Sequence, residues 1–192
     1  NTWVWLSRST TGRSRTRVRG NRHFKKVRRA NRLIRRVQYL CEYCFRRGIH
    51  YAIEQPNSTL LWHYAPLEAM LRRHKARAIS IPLGAFGSLS EKRVAIYTTA
   101  PYLDQLGCSL DPVRRERLAP LRSSLDLEIV RKFVCSKSGE VKVAGGKDLS
   151  KTSEYPVGLG LKVGELLKKH VKVEQPLPEM DLEFHDLDGS DS

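Results

Sequence analysis

Long apolar runs are missing from this chain. No stretch approaches the roughly 20 residues that a membrane-spanning helix needs, and no secretory leader is recognisable. Cysteine is also scarce, with four in 192 residues: Cys41, Cys44, Cys108 and Cys135. Cys41 and Cys44 have C-x-x-C spacing, but zinc needs two further ligands and no second pair follows. Both lie within a helical pattern, where positions i and i+3 share a face, as buried helix cysteines do. His50, His63 and His74 are scattered, so no metal site is expected. Nothing implies a disulfide framework, which fits a reducing compartment. The expectation is an intracellular protein, nuclear or cytoplasmic, with no membrane partner.

Acid is almost absent from the first fifty residues, which hold fifteen Lys or Arg and a single carboxylate, Glu42. The balance then reverses. After Lys172 there is no lysine or arginine, and seven acids run from Glu174 to Asp191. The whole chain carries a formal charge of +15. A basic body with an acidic tail points to a nucleic-acid surface, or to a tail that folds back over one. A solvated basic face with a solubilising tail has the same composition. Apolar residues make up 40% of the chain, enough for a genuine core. The chain opens on Asn1 and runs at once into Thr2-Trp3-Val4-Trp5-Leu6, which reads as the later part of something longer.

Thr2 to Ser7 reads as a strand. The loop after it, Arg8-Ser9-Thr10-Thr11-Gly12-Arg13-Ser14-Arg15-Thr16-Arg17, combines hydroxyls, one glycine and alternating arginines. Hydroxyls and backbone N–H groups hydrogen-bond phosphate, and guanidinium forks supply charge. Arg8, Thr11, Arg13, Ser14 and Arg15 are therefore candidate phosphate ligands; a plain flexible loop is the alternative. A long helix follows from about Asn21 to Arg47. Val27, Ala30, Ile34, Val37, Cys41 and Cys44 recur at spacings of three and four, and Leu33 and Leu40 widen the stripe. Lys25, Arg28, Arg29, Arg32, Arg35 and Arg36 cover the opposite side, and Gly48 stops the helix.

Ile49 to Ile53 reads as a short strand, with Glu54-Gln55 at its C-terminal end and Pro56 halting the pairing. A helix from Leu67 to His74, a strand from Ala76 to Ile81, a glycine-bearing loop and a strand from Val94 to Thr98 follow. Residues 100–125 look irregular, with prolines at 101, 112 and 120. Leu127 to Val143 reads as a β-hairpin around Ser138-Gly139. Val157 to about Lys169 reads as an amphipathic helix, and a disordered acidic tail is expected after it. Gly145-Gly146-Lys147 lacks Walker spacing and reads as a turn. Strands alternating with helices predict an α/β fold with a mostly parallel sheet and one antiparallel strand. The expected organisation is an α/β unit over 1–125, a hairpin and closing helix over 126–173, and the tail over 174–192.

Several of these segments are similar to a known family. Thr2-Trp3-Val4-Trp5, Thr11-Gly12-Arg13-Ser14, Gly20-Asn21, Glu54-Gln55-Pro56-Asn57-Ser58, the Phe86-Gly87 to Thr98 stretch, Gly145 to Leu149 and Tyr155-Pro156 resemble a group of protist proteins related to DNA cytosine-5 methyltransferases. The resemblance covers most of residues 1–170. It implies the C-terminal part of a Rossmann-like methyltransferase sheet, S-adenosylmethionine as cofactor and nucleic acid, DNA before RNA, as partner. It gives Glu54 the role of the glutamate that contacts the target ring, with Gln55 and Asn57 beside it and Lys92 and Arg93 as basic contacts. The family usually has asparagine after that glutamate, where this chain has Gln55. The family's proline-cysteine nucleophile would precede Asn1, and no glycine-rich cofactor loop occurs within the chain. The chain as it stands is therefore expected not to methylate. A non-catalytic basic module that binds nucleic acid is the alternative. Independently of the resemblance, Glu54 at a strand end suits acid–base work, or equally a pairing with an arginine of the first loop.

Overall fold

The computed structural model describes residues 2–136, 139–152 and 154–170. The elements run in the order α1 (Arg8–Thr11), α2 (Lys25–Arg46), β1 (Ala52–Pro56), α3 (Ala65–Arg73), β2 (Arg77–Pro82), β3 (Arg93–Thr98), α4 (Pro112–Ser124), β4 (Val130–Val134), β5 (Val141–Gly145) and α5 (Val157–His170), with short 3-10 turns between them.

The expected long helix forms as α2. Val27, Ile34 and Cys41 are buried along one stripe, together with Asn31. It ends as the glycine predicts. Gly48 adopts φ 69°, and the Ile49 N–H reaches back to the Cys44 carbonyl at 2.9 Å. Ile49 is thereby used to close the helix, which is why the following strand begins at Ala52.

The sheet corrects the sequence reading. Its three strands lie in the order β1-β3-β2, and both pairings are antiparallel. Among the described residues there is no parallel pair, so the partial Rossmann-like sheet is not the fold. β1 and β2 do run in the same direction and are joined through α3, but β3 returns between them and takes the hydrogen bonds of both. Val94, Ala95 and Ile96 are all buried on β3, the mark of a strand covered on two faces. Arg77, Ala78 and Ser80 of β2 stay exposed, as suits an edge. Pro56 does not halt pairing either. It sits opposite Val94, whereas the next residue's N–H, on Asn57, donates to the Arg93 carbonyl at 3.1 Å. Position 56 is thus a non-hydrogen-bonded site on an edge strand, where the missing N–H removes no ladder bond.

Helical segments cover both faces of this sheet. On one face Ile53 packs with Ile34 and Cys41 of α2, Leu67 and Met70 of α3, and Trp3. On the other, Ile79, Ile81, Val94 and Ile96 pack with Leu103 and Leu106 and with Leu159 and Leu166 of α5.

Two further expectations change. Thr2–Ser7 forms only one isolated bridge, Val4 to Thr59, and then tightens into a 3-10 turn over Trp5–Ser7. Residues 100–125 are not irregular: a 3-10 helix spans Pro101–Leu106 and α4 spans Pro112–Ser124. Pro101 and Pro112 each stand in a first turn, where the absent N–H has no partner to lose. The C-terminal hairpin and helix appear as expected. β4 and β5 pair antiparallel, and α5 starts at Val157. Ser138 and the acidic tail lie outside the described residues.

Candidate nucleic-acid interface

The first loop is built inward, not toward a ligand. Thr11 donates its hydroxyl to the Ser7 carbonyl at 2.6 Å. Arg13 is 2% exposed. Its guanidinium lies 3.5 Å from the centre of the Trp3 ring, donates to Asn31 Oδ1 at 2.9 Å and also donates to the Val18 carbonyl. Burial lowers its pKa to about 10, which leaves it cationic at neutral pH. Gly20 makes the fit possible. Its φ is +66°, and a Cβ there would stand 2.6 Å from the Thr11 carbonyl and 2.7 Å from Arg13 Cγ. Ser14 bonds within the loop to Thr16 and Arg17, and Arg8 lies over the Trp5 ring at 4.7 Å. Of the candidate phosphate ligands in this loop, Arg8 and Arg15 are exposed, whereas Thr11 and Arg13 are buried.

Glu54 does not join these arginines. It lies in β1 directly opposite Ile96, so its side chain belongs to the sheet face that α5 covers. The neighbouring Ile53 and Gln55 point to the α2 face, with the Arg13–Trp3 stack in that layer. Burial, with the Glu54 carboxylate beside it, raises the Tyr155 phenol well above its ordinary value. The Glu54 oxygen Oε1 is buried without a hydrogen-bond partner among the described residues. Asn57 sits in the turn after β1. Arg93 donates to Ser80 Oγ at 3.3 Å, and Lys92 is half-buried beside it.

What the structure does gather is a groove of about 920 Å³ along α2. Lys25, Lys26, Arg28, Arg29, Arg32 and Arg36 line it from the helix, and Leu33, Val37, Ile53 and Gln55 supply its floor. Among the described residues no carboxylate lines it. The helix adds to the field. Phe24 provides no side-chain cap, so the positive end of the helix dipole opens among these cations. Of the candidate ligands only Gln55 belongs to the groove. Five of the six cations were visible as part of a charged helix stripe, at positions 25, 28, 29, 32 and 36, whereas Lys26 was not, and a stripe alone does not show which of its members share a concavity.

These residues do not fit S-adenosylmethionine. A sulfonium cation and ribose hydroxyls call for carboxylates, whereas the groove offers six cations. Nor does an antiparallel sheet present the strand-end crevice in which a parallel sheet seats such a cofactor. Among the described residues no group of three or more His, Cys, Asp or Glu could hold a metal, and no helix is long and apolar enough to cross a membrane. Cys41 is buried, and burial with Cys44 nearby raises its thiol to about 11.

A second polar cluster lies at the far end of α2. His74 Nδ1 lies 2.8 Å from the Tyr51 hydroxyl and Nε2 lies 3.2 Å from Glu42 Oε2. A carboxylate can only accept, so Nε2 carries the hydrogen and Nδ1 receives the phenol proton. Arg73 already pairs with Glu42, and burial, helped by Arg73, lowers the His74 pKa below 6.5. The native state therefore keeps His74 neutral while the unfolded chain protonates first. Stability is full above pH 6.5 and falls as pH drops through the depressed native value. Denaturant midpoints should decline from neutral to mildly acidic pH, and a His74→Gln variant should lose that part of the slope; an unaltered slope would remove His74 as its source.

No family model, no curated protein and no solved structure matches this chain.

Proposed function

We propose that this chain is a non-catalytic module that binds nucleic acid, DNA before RNA, through phosphate contacts along α2. The observation that carries the reading is the groove lined, among the described residues, by six cations and no carboxylate. From Lys25 to Arg36 the cations extend about 17 Å at roughly 1.5 Å per residue. Over that length one DNA strand presents about five phosphates. Contacts of this kind set affinity and register without reading bases, and Gln55 is the one side chain of the floor with an amide for a base edge.

The test is a labelled duplex titrated with the full chain and followed by anisotropy. Lys26→Glu/Arg29→Glu/Arg36→Glu replaces three exposed cations and should abolish binding while leaving the fold intact. Equal binding by the triple variant would overturn the assignment. The same reading expects no methyl transfer. With a labelled methyl donor and DNA, the wild-type chain and Glu54→Ala should give the same background counts, and counts above that background in the wild type alone would restore an enzymatic role for Glu54.

A further inference from the structure

The groove floor is apolar as well as cationic along its rim, which is more than a phosphate ladder requires. Leu33 is 61% exposed and Leu40 43%, and with Ala30, Val37 and Cys44 they follow a 3-4-3-4 spacing on the flank of α2. The chain itself contains a segment with the complementary pattern. Residues 179–184 read Glu-Met-Asp-Leu-Glu-Phe, so an extended backbone would carry Met180, Leu182 and Phe184 on one side and three carboxylates on the other.

Reach favours the same pairing. The last described residue, His170, stacks on Tyr102 with ring centres 5.3 Å apart. Tyr102 in turn lies edge-on to His50 at 6.2 Å, two residues past the glycine that ends α2. The chain therefore leaves α5 beside the C-terminal end of α2. From Arg46 back to Arg36 is about 15 Å of helix at roughly 1.5 Å per residue. Residues 171–178 can span about 26 Å when extended, enough to bring residue 179 to the groove.

We infer that residues 179–187 dock in the α2 groove, apolar side chains on its floor and carboxylates against its lysines and arginines, and so compete with nucleic acid. The inference rests on the nucleic-acid reading of the same groove. A tether this short gives an effective concentration on the order of millimolar, so even a segment with an intrinsic dissociation constant of about 100 µM would weaken nucleic-acid binding about tenfold.

The experiment uses the isotope-labelled full chain and Leu182→Ser/Phe184→Ser, compared first without any ligand. Amide signals of Ala30, Leu33, Val37 and Gln55 should shift between the two, and the variant should bind a short DNA duplex about tenfold more tightly. Glu179→Lys/Asp181→Lys/Glu183→Lys should repeat both effects. Unchanged groove signals in both variants would overturn the docking, whatever the duplex does. Shifted signals with unchanged duplex affinity would overturn the competition and place nucleic acid elsewhere, which separates this failure from a failure of the groove itself.

Discussion

Arg13→Ala should cost about 2–4 kcal/mol of stability, from a large-to-small change in a packed site together with buried acceptors that lose their donor. The reasons are specific to its surroundings. The side chain is 2% exposed and donates to both the Val18 carbonyl and Asn31 Oδ1. Truncation leaves those acceptors without this donor and opens a void against the Trp3 ring, 3.5 Å from the guanidinium. Arg15, two residues on, is exposed, and its replacement by alanine should stay within about 0.5 kcal/mol. Urea denaturation of the two variants checks the contrast. If Arg13 were a phosphate ligand held at the surface, the order would reverse in a binding assay and vanish in a stability assay.

Salt should have the second large effect. If five or six phosphates are neutralised along α2, each releases condensed counterions, and affinity should fall roughly a thousandfold between about 50 and 200 mM salt. That fall is the signature of a backbone contact. Binding dominated by aromatic stacking or by a buried pocket would depend far less on salt, because little charge is neutralised. Trp3 is 7% exposed, which leaves its ring committed to Arg13 and Tyr64 and argues against a stacking platform at the groove.

Helices α2, α3 and α5 were legible in the sequence because each buries one stripe, whereas α4, with prolines at 112 and 120, was not. Val27, Ile34 and Cys41 state the period of α2, and Gly48 states its end. The C-terminal hairpin was legible for the matching reason that a glycine near its turn separates two alternating runs. Strand neighbours were not legible. Alternation with helices orders elements along the chain but does not say which strand returns between two others. The pointer was the unbroken apolar run Val94-Ala95-Ile96, which demands cover on both faces and so a central place. The site shows the same limit. Hydroxyls and arginines in the first loop look alike whether they face phosphate or each other. What decides is Gly20, whose left-handed backbone lets the loop close on Arg13, together with Asn31 on α2, which receives the guanidinium. Glu54 misled for a simpler reason: one residue along a strand reverses the face, and the arginines share a face with Ile53 and Gln55 instead.

The central claim is that cations on α2 meet phosphates, and the slope of log affinity against log salt measures it most directly. Arg29→Gln/Arg36→Gln should reduce that slope by about two contacts' worth, while Arg114→Gln/Arg117→Gln on α4 leaves it where it was. An unchanged slope in the α2 variant, or an equal loss in the α4 variant, would contradict the account.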